Sequence, residues 1–284
     1  MSLSDYQLSI GTTGLVIGAG TDYIVHQWDG AGLPGVRDSD QPRPFAHGNF
    51  LGPEFIEARQ VVIDLTVRGD DAADCQANID SLVKAWYFDA RPVSSYDQIV
   101  DLSVKVPGQA ERFLKGRPRK LEIDTSNLKS GKATASLEFV AGDPRWYSYV
   151  LRSATLNVTA PASGRGYNRS FDYGYGGGSS SAVSAVNAGS ISTPPSMTVY
   201  GPLTNVTVTN ETTGQSITIT YTLASGEFLD LDFAERTVLL NGTASRYYAM
   251  TGDWWDLAPG TNTLRMTANS GTGTVAVSWR DTWL

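Results

Sequence analysis

Alternation of apolar and polar side chains marks four segments in the first half of the chain: residues 60–68, 102–106, 119–124 and 132–139. Successive side chains on a strand point to opposite faces, so this pattern predicts sheets with one buried face and one wet face. Residues 71 to 88 follow a different period. There Cys75, Ile79, Leu82, Val83 and Trp86 recur at helical spacing, and Asp70 or Asp71 can cap the first turn by accepting its orphan amide hydrogens. One helix packed by one face on the sheets is the expectation.

From about Thr193 onward the pattern is strand after strand. Residues 206–209 and 216–221 alternate on either side of a Glu211-Thr212-Thr213-Gly214 turn, and residues 237–240 lead into Asn241-Gly242. Asn-Gly is a strong hairpin signal because both residues tolerate the positive φ of a type I′ turn. Two further strands, 262–268 and 273–279, follow Pro259-Gly260 and Gly271-Thr272-Gly273. Short strands this dense, about seven in roughly 90 residues, predict a β-sandwich with no need of a helix. Residues 163–181, SGRGYNRSFDYGYGGGSSS, have no periodicity and read as a long surface loop. The triple glycine is not a phosphate cradle, since no Lys-Ser/Thr follows and no helix opens after it. The chain is therefore expected to be mainly β with one helix. Residues 1–150 form an α+β domain (β-barrel/sandwich-like plus a helix), 151–193 a linker with the Gly/Ser/Tyr loop, and 194–284 the sandwich.

Composition narrows the function. With 41% apolar and 18% charged residues among 284, the chain has the means to build two packed cores. A net charge of −7 and a pI near 4.9 argue against bulk attraction to nucleic acid or anionic membrane. No run approaches the roughly 18 apolar residues of a spanning helix, so no membrane insertion is expected. The first basic residue is Arg37, which leaves no charged start for a secretory leader and predicts synthesis in the cytoplasm. A single cysteine, Cys75, forms no intramolecular disulfide.

Candidate chemistry is sparse. The only histidines, His26 and His47, lack ligand partners at metal spacing, no Gly-x-Ser-x-Gly elbow occurs, and neither histidine sits in a triad context. Asp230 and Asp232 alternate on one strand and share a face; acid/base chemistry or a Ca²⁺ site could use that, but a solvated strand face or a turn bond is the preferred account. Asn-x-Ser/Thr tripeptides at Asn157, Asn168, Asn205, Asn210 and Asn241 are the chance product of Thr-rich strands. The expectation is no catalytic residue, no cofactor and no metal. Two surfaces remain. Between Arg112 and Lys132 stand seven basic residues against Glu122 and Asp124, and Lys115, Arg117, Arg119 and Lys120 form a candidate assembly patch for an acidic partner, including another copy of this chain. Trp254 and Trp255, with Tyr248 nearby, are candidate glycan-facing aromatics, although adjacent residues on a strand place one ring inward.

Several segments together carry a family resemblance. Asp143-Pro144-Arg145-Trp146-Tyr147 closes the α+β region. It is followed by Asn187-Ala188-Gly189-Ser190-Ile191-Ser192-Thr193-Pro194-Pro195, by residues 197–202 and 206–210, by Gly226-Glu227-Phe228-Leu229-Asp230-Leu231-Asp232, and by residues 237–242 and 257–262. In order and spacing this resembles the distal tail (Dit) proteins of siphophages. Pro42-Arg43-Pro44, His47-Gly48 and Arg59 near the N-terminus are similar to it as well. The resemblance implies a structural virion protein of the phage or prophage tail tip and baseplate, not an enzyme. It implies a homo-oligomeric ring, usually a hexamer, that joins the tail tube protein to the tail hub and tape-measure proteins and to the host-adsorption apparatus. The N-terminal domain would build the ring and a galectin-like C-terminal sandwich would project outward. The reading from another class is a carbohydrate-binding module protein that meets host glycan through the sandwich.

Overall fold

A computed structural model describes residues 3–10, 14–86, 99–158 and 181–284. The chain divides into two compact units, residues 1–149 with Leu284, and residues 150–283.

The first unit contains β1 (Gln7–Ile10), β2 (Leu15–Gly18), β3 (Tyr23–Asp29), β4 (Val36–Arg37), β5 (Gln41–Pro42), β6 (Asn49–Phe50), β7 (Phe55–Ile56), β8 (Arg59–Arg68), α1 (Ala72–Trp86), β9 (Val100–Lys105), β10 (Arg112–Asp124), β11 (Lys132–Ala141) and β12 (Trp146–Ser148). Seven of these run as one antiparallel sheet in the order β2-β1-β9-β10-β11-β8-β3. The barrel-like expectation is corrected here: among the described residues the order has two ends, β2 and β3, with no registered pair between them, and the sheet stays open. Its inner face carries Val61, Ile63, Leu65 and Val67 from β8 and Leu137 and Phe139 from β11, all essentially inaccessible to solvent. Helix α1 adds Cys75, Ile79, Leu82 and Trp86 to this core. Asp71 caps it, its Oδ1 accepting from the amides of Ala73 and Asp74 at 2.8 Å each. Val83, expected on the packed face, points outward and is exposed. The last two residues of the expected helix, 87 and 88, lie outside the described residues.

Between β3 and β8 the chain leaves the sheet. Residues 30–58 form a two-stranded arm of nested pairs, Val36 with Ile56 and Arg37 with Phe55, then Gln41 with Phe50 and Pro42 with Asn49. Almost every residue of the arm is exposed.

The second unit contains β13 (Arg152–Asn157), β14 (Ser181–Asn187), β15 (Ser196–Tyr200), β16 (Leu203–Asn210), β17 (Gln215–Leu223), β18 (Phe228–Asp232), β19 (Thr237–Leu240), β20 (Ala244–Ser245), β21 (Met250–Gly252), β22 (Gly260–Gly271), β23 (Thr274–Trp279) and β24 (Thr282–Trp283). Two antiparallel sheets, β13-β23-β15-β18-β19-β20 and β14-β22-β16-β17-β21, enclose one core of Leu156, Met197, Val199, Val208, Ile217, Leu229, Leu231, Trp255, Leu264 and Val277 among others. This is the expected sandwich. The linker expectation for 151–193 needs correction at both ends, because β13 and β14 are edge strands of the two sheets. Leu156 and Ala185 are fully buried in them. Their Ser, Ala and Thr content hid the alternation. The Gly/Ser/Tyr loop between them lies outside the described residues. Asn241 and Gly242 take φ of 50° and 71° in the turn that Thr243 N closes on Leu240 O at 3.1 Å, the type I′ geometry the sequence called for.

Candidate functional site

No group of three or more His, Cys, Asp or Glu side chains that could hold a metal occurs among the described residues. Asp230 and Asp232 share a face of β18 and both are tied into the fold. Asp230 Oδ1 accepts from Thr198 Oγ1 at 2.9 Å, and Asp232 Oδ1 accepts from the amides of Ala234 and Glu235 at 2.8 and 3.0 Å, closing the turn to β19. Asn210, one of the Asn-x-Thr positions, is fully buried, so its amide is out of reach of any modifying enzyme.

Strand β10 places the basic residues on the outer face of the first sheet. A bulge between Pro118 and Leu121 shifts its register against β11. The shift reverses the inside/outside phase, so that Arg119 and Lys120, neighbours in sequence, both stand exposed. Gly116 allows the close approach just before the bulge, where a Cβ would lie 2.4 Å from Val140 O and 2.6 Å from the Phe139 ring. Lys115 stands opposite Asp101 of β9, and Lys120 Nζ is 2.6 Å from Glu122 Oε1, an ion pair that raises the lysine pKa. Glu122 and Asp124 on β10, with Asp64 on β8, form an acidic band next to them, and beyond that band Lys132 of β11 stands opposite Arg68 of β8, so the outer face alternates in charge.

The sandwich aromatics separate by burial, although Trp254 and Trp255 follow the end of β21 and lie on no strand. Trp255 is 1% exposed and packs on Phe233 with ring centroids 4.8 Å apart, so its assignment as a glycan-facing residue is corrected. Trp254 is half-buried between Phe233, edge-on at 5.1 Å, and Tyr247, stacked at 6.3 Å. Tyr248 is 77% exposed. Tyr247 is open as well, at 51%, so two exposed tyrosines flank the half-covered Trp254.

Two features escaped the sequence reading. The first is the anchor at the root of the arm. Arg59 is 1% exposed and makes no ion pair among the described residues. Its Nε donates to Pro144 O at 2.7 Å, its Nη1 donates to both Gly30 O and Gly32 O, and its guanidinium lies 5.6 Å from the centroid of Trp146. Burial pushes its pKa down. Trp146 meets Trp28 edge-on at 6.0 Å. Beside it, Arg145 holds Asp143 by two bonds, Nε to Oδ1 at 2.8 Å and Nη2 to Oδ2 at 2.9 Å, while Tyr147 OH donates to Oδ2. Burial pushes the Asp143 carboxyl up, but the bonds from Arg145 and Tyr147 outweigh it and the net displacement is downward. The segment 143–147, which carries part of the resemblance, is therefore a rigid clasp. The second feature is the arm's apolar surface: Leu33, Val36, Phe45, Phe50, Leu51, Phe55 and Ile56 are all exposed, Phe45 and Leu51 almost completely. Only the spacing of single apolar residues among Pro and Gly could have signalled it.

In the second unit, Asn187 is fully buried. Its Nδ2 donates to Ile191 O and Leu257 O at 2.9 and 3.1 Å, and its Oδ1 accepts from Gly189 N at 2.9 Å. Asp281, 3% exposed, accepts from Ala188 N at 2.8 Å and from Arg152 Nε at 2.7 Å. The Asn187-Ala188-Gly189 segment is thereby locked to the end of the sandwich.

The fold is β-rich and built of two units, and comparison with known proteins finds likenesses to each scale of it. Residues 188–283 match the family model for the siphovirus-type tail component, C-terminal domain. Over 98% of its length the chain superposes on 99% of the SPP1 phage Dit protein, described as a paradigm of the hub adsorption apparatus in phages infecting Gram-positive bacteria. The TM-score is 0.66 and the identity 16%. A chain of the phage P2 baseplate in its Ca-activated conformation aligns over 96% of this chain and 97% of its own, with a TM-score of 0.49 and 13% identity. No curated protein sequence matches. The chain has the fold of the Dit protein, and its residues 188–283 match the siphovirus-type tail component, C-terminal domain.

Proposed function

We propose that the protein forms a closed homo-oligomeric ring, six copies by the family resemblance, that joins the tail tube to the tail hub and the host-adsorption apparatus. The first unit builds the ring and the sandwich projects from it. The observation that supports this best is the likeness to SPP1 Dit over nearly the whole of both chains. The surfaces suit the role. An open sheet offers unpaired edges, the arm offers uncovered apolar side chains, and an outer face with basic and acidic bands offers charges for orienting copies against each other. Catalysis has no part in this reading, since Asp230 and Asp232 are committed to the fold. The carbohydrate-binding alternative gains nothing from the placement of Trp254 and Trp255.

Immunogold labelling of virions, with an antibody raised against this chain, tests the assignment. Gold confined to the tail tip supports it. Gold along the tail shaft or on the capsid overturns it.

A further inference from the structure

Strands β1, β2 and β9, at one end of the open sheet, border a cavity of about 250 Å³. Strand register sets its floor. Ile10 pairs with Leu102, and both are buried in the core. Their neighbours Ser9 and Ser103 pair with each other and turn to the opposite face, into the cavity. Asp101 lies two residues from Ser103 along β9 and shares that face. Glu111, just ahead of β10, adds a second carboxylate, and Leu3 and Val16 give the cavity an apolar wall.

The polar groups of this lining are under-used by the fold. Ser103 is 8% exposed, yet its hydroxyl makes no hydrogen bond among the described residues, where buried hydroxyls are ordinarily paired. The half-buried Glu111 makes no ion pair among the described residues, and its Oε2 accepts only a long bond from Leu3 N at 3.4 Å. No Lys, Arg or His among the described residues lines the cavity; Lys115, opposite Asp101 across the β9–β10 pair, stays outside it. Two carboxylates and two hydroxyls therefore converge as acceptors, and they repel an anion. A divalent metal asks for more ligands than this, and no group of three His, Cys, Asp or Glu that could hold one occurs among the described residues. What matches the set is an organic cation, because an ammonium carries three N–H donors and a guanidinium five. The wall of Leu3 and Val16 matches the alkyl stem behind such a group, and the volume admits the end of one side chain.

We propose that this cavity receives one alkylammonium or alkylguanidinium group, the end of a lysine or arginine side chain of a partner protein. Glu111 and Asp101 hold its charge, and the hydroxyls of Ser9 and Ser103 accept its remaining N–H donors. The cavity lies wholly within the first unit, so the inference stands whether or not the chain closes into a ring. Two sources offer the group: a second copy, through Arg119, which is exposed and makes no ion pair among the described residues, or a different protein.

Saturation-transfer NMR on the full chain tests the chemistry with small probes: N-acetyl-arginine amide, N-acetyl-lysine amide, and N-acetyl-citrulline amide, which keeps the shape of arginine without its charge. Transfer to the two cationic probes is expected, with little to citrulline. Glu111→Gln is expected to weaken the cationic probes on the order of threefold to tenfold, the loss of one charge-assisted bond at a half-buried site. Ser103→Ala, which keeps the carboxylates, should weaken them as well. Glu54→Gln removes an exposed carboxylate elsewhere and should change nothing, which separates the cavity from the general acidity of the chain. Circular dichroism verifies that each variant is folded. No transfer to either cationic probe at millimolar concentration, equal transfer to citrulline, or binding untouched by both Glu111→Gln and Ser103→Ala overturns the proposal. Light scattering then assigns the source. If Glu111→Gln and Arg119→Gln each weaken self-association and the double variant adds nothing further, the side chain comes from a second copy. Self-association unchanged by either variant, with probe binding lost in Glu111→Gln, assigns it to a different protein.

Discussion

Arg59 and Pro144 are 85 positions apart, yet Nε of the first donates to the carbonyl oxygen of the second at 2.7 Å inside the protein, where the guanidinium is 1% exposed. With Gly30 and Gly32 as its other acceptors, this side chain fixes the root of the arm to the clasp that closes the first unit.

Truncation of Arg59 leaves the Gly30, Gly32 and Pro144 carbonyls, which are partly open to solvent, short of a donor, and each such loss costs about 1–3 kcal/mol less whatever water recovers. Arg59→Ala is expected to lower unfolding free energy by about 2–4 kcal/mol in urea titration. Arg59→Lys should recover little, since an ammonium cannot span acceptors that a planar fork reaches at once. Recovery to within 0.5 kcal/mol by lysine, about the noise of a neutral surface change, would contradict the role assigned to the fork.

The Asp143 clasp gives a pH dependence of fixed sign. Its carboxyl titrates below its unfolded value, so the unfolded chain binds the proton first. The contribution is complete above the unfolded pKa and is lost as pH falls through the depressed folded pKa. Thermal melts of wild type and Asp143→Asn between neutral and strongly acidic pH should converge at the acid end. A difference that grows toward acid would contradict the assignment.

How far the sequence foretold this can be argued from single strands. Strands β8 and β11 were legible because they alternate without interruption and pair along their whole length. Half of β10 was hidden by Gly116 and Pro118 and by a bulge that no local pattern announces. Strands β1 to β3 are short and partly polar, and β13 and β14 bury small residues, so their alternation is faint. The segment 143–147 was recognisable as a motif, but the reason for it was not: Arg59 finds Pro144 and Trp146 only through the folded sheet. The arm had no period to detect because it packs on nothing within its own unit.

Gly189 is held against the end of the sandwich, where an added Cβ would lie 2.0 Å from Thr282 O and 2.5 Å from Thr282 N. Backbone cannot yield as a flexible side chain would. Gly189→Ala is expected to destabilise the second unit by about 1–3 kcal/mol, as other forced overpacking does. Calorimetry in which Gly189→Ala melts with the wild type would show that the segment moves freely.

The aromatics of the sandwich should divide by burial. Trp255→Ala removes a core ring and is expected to cost about 3–5 kcal/mol, whereas Tyr248→Ala, at an exposed position, should stay within about 0.5 kcal/mol. Denaturant titration of the two variants checks both. Equal losses would mean that Tyr248 is covered in the folded protein.

The central claim is that this chain closes on itself as a ring. Light scattering of the purified protein across concentration and ionic strength, with negative-stain imaging of the same samples, measures it directly. The account predicts a rise from monomer to a single closed species of about six copies, as the family resemblance implies, with an open centre in projection. Monomers or two-fold dimers at every concentration, with no ring even beside tail-tube protein, would contradict it.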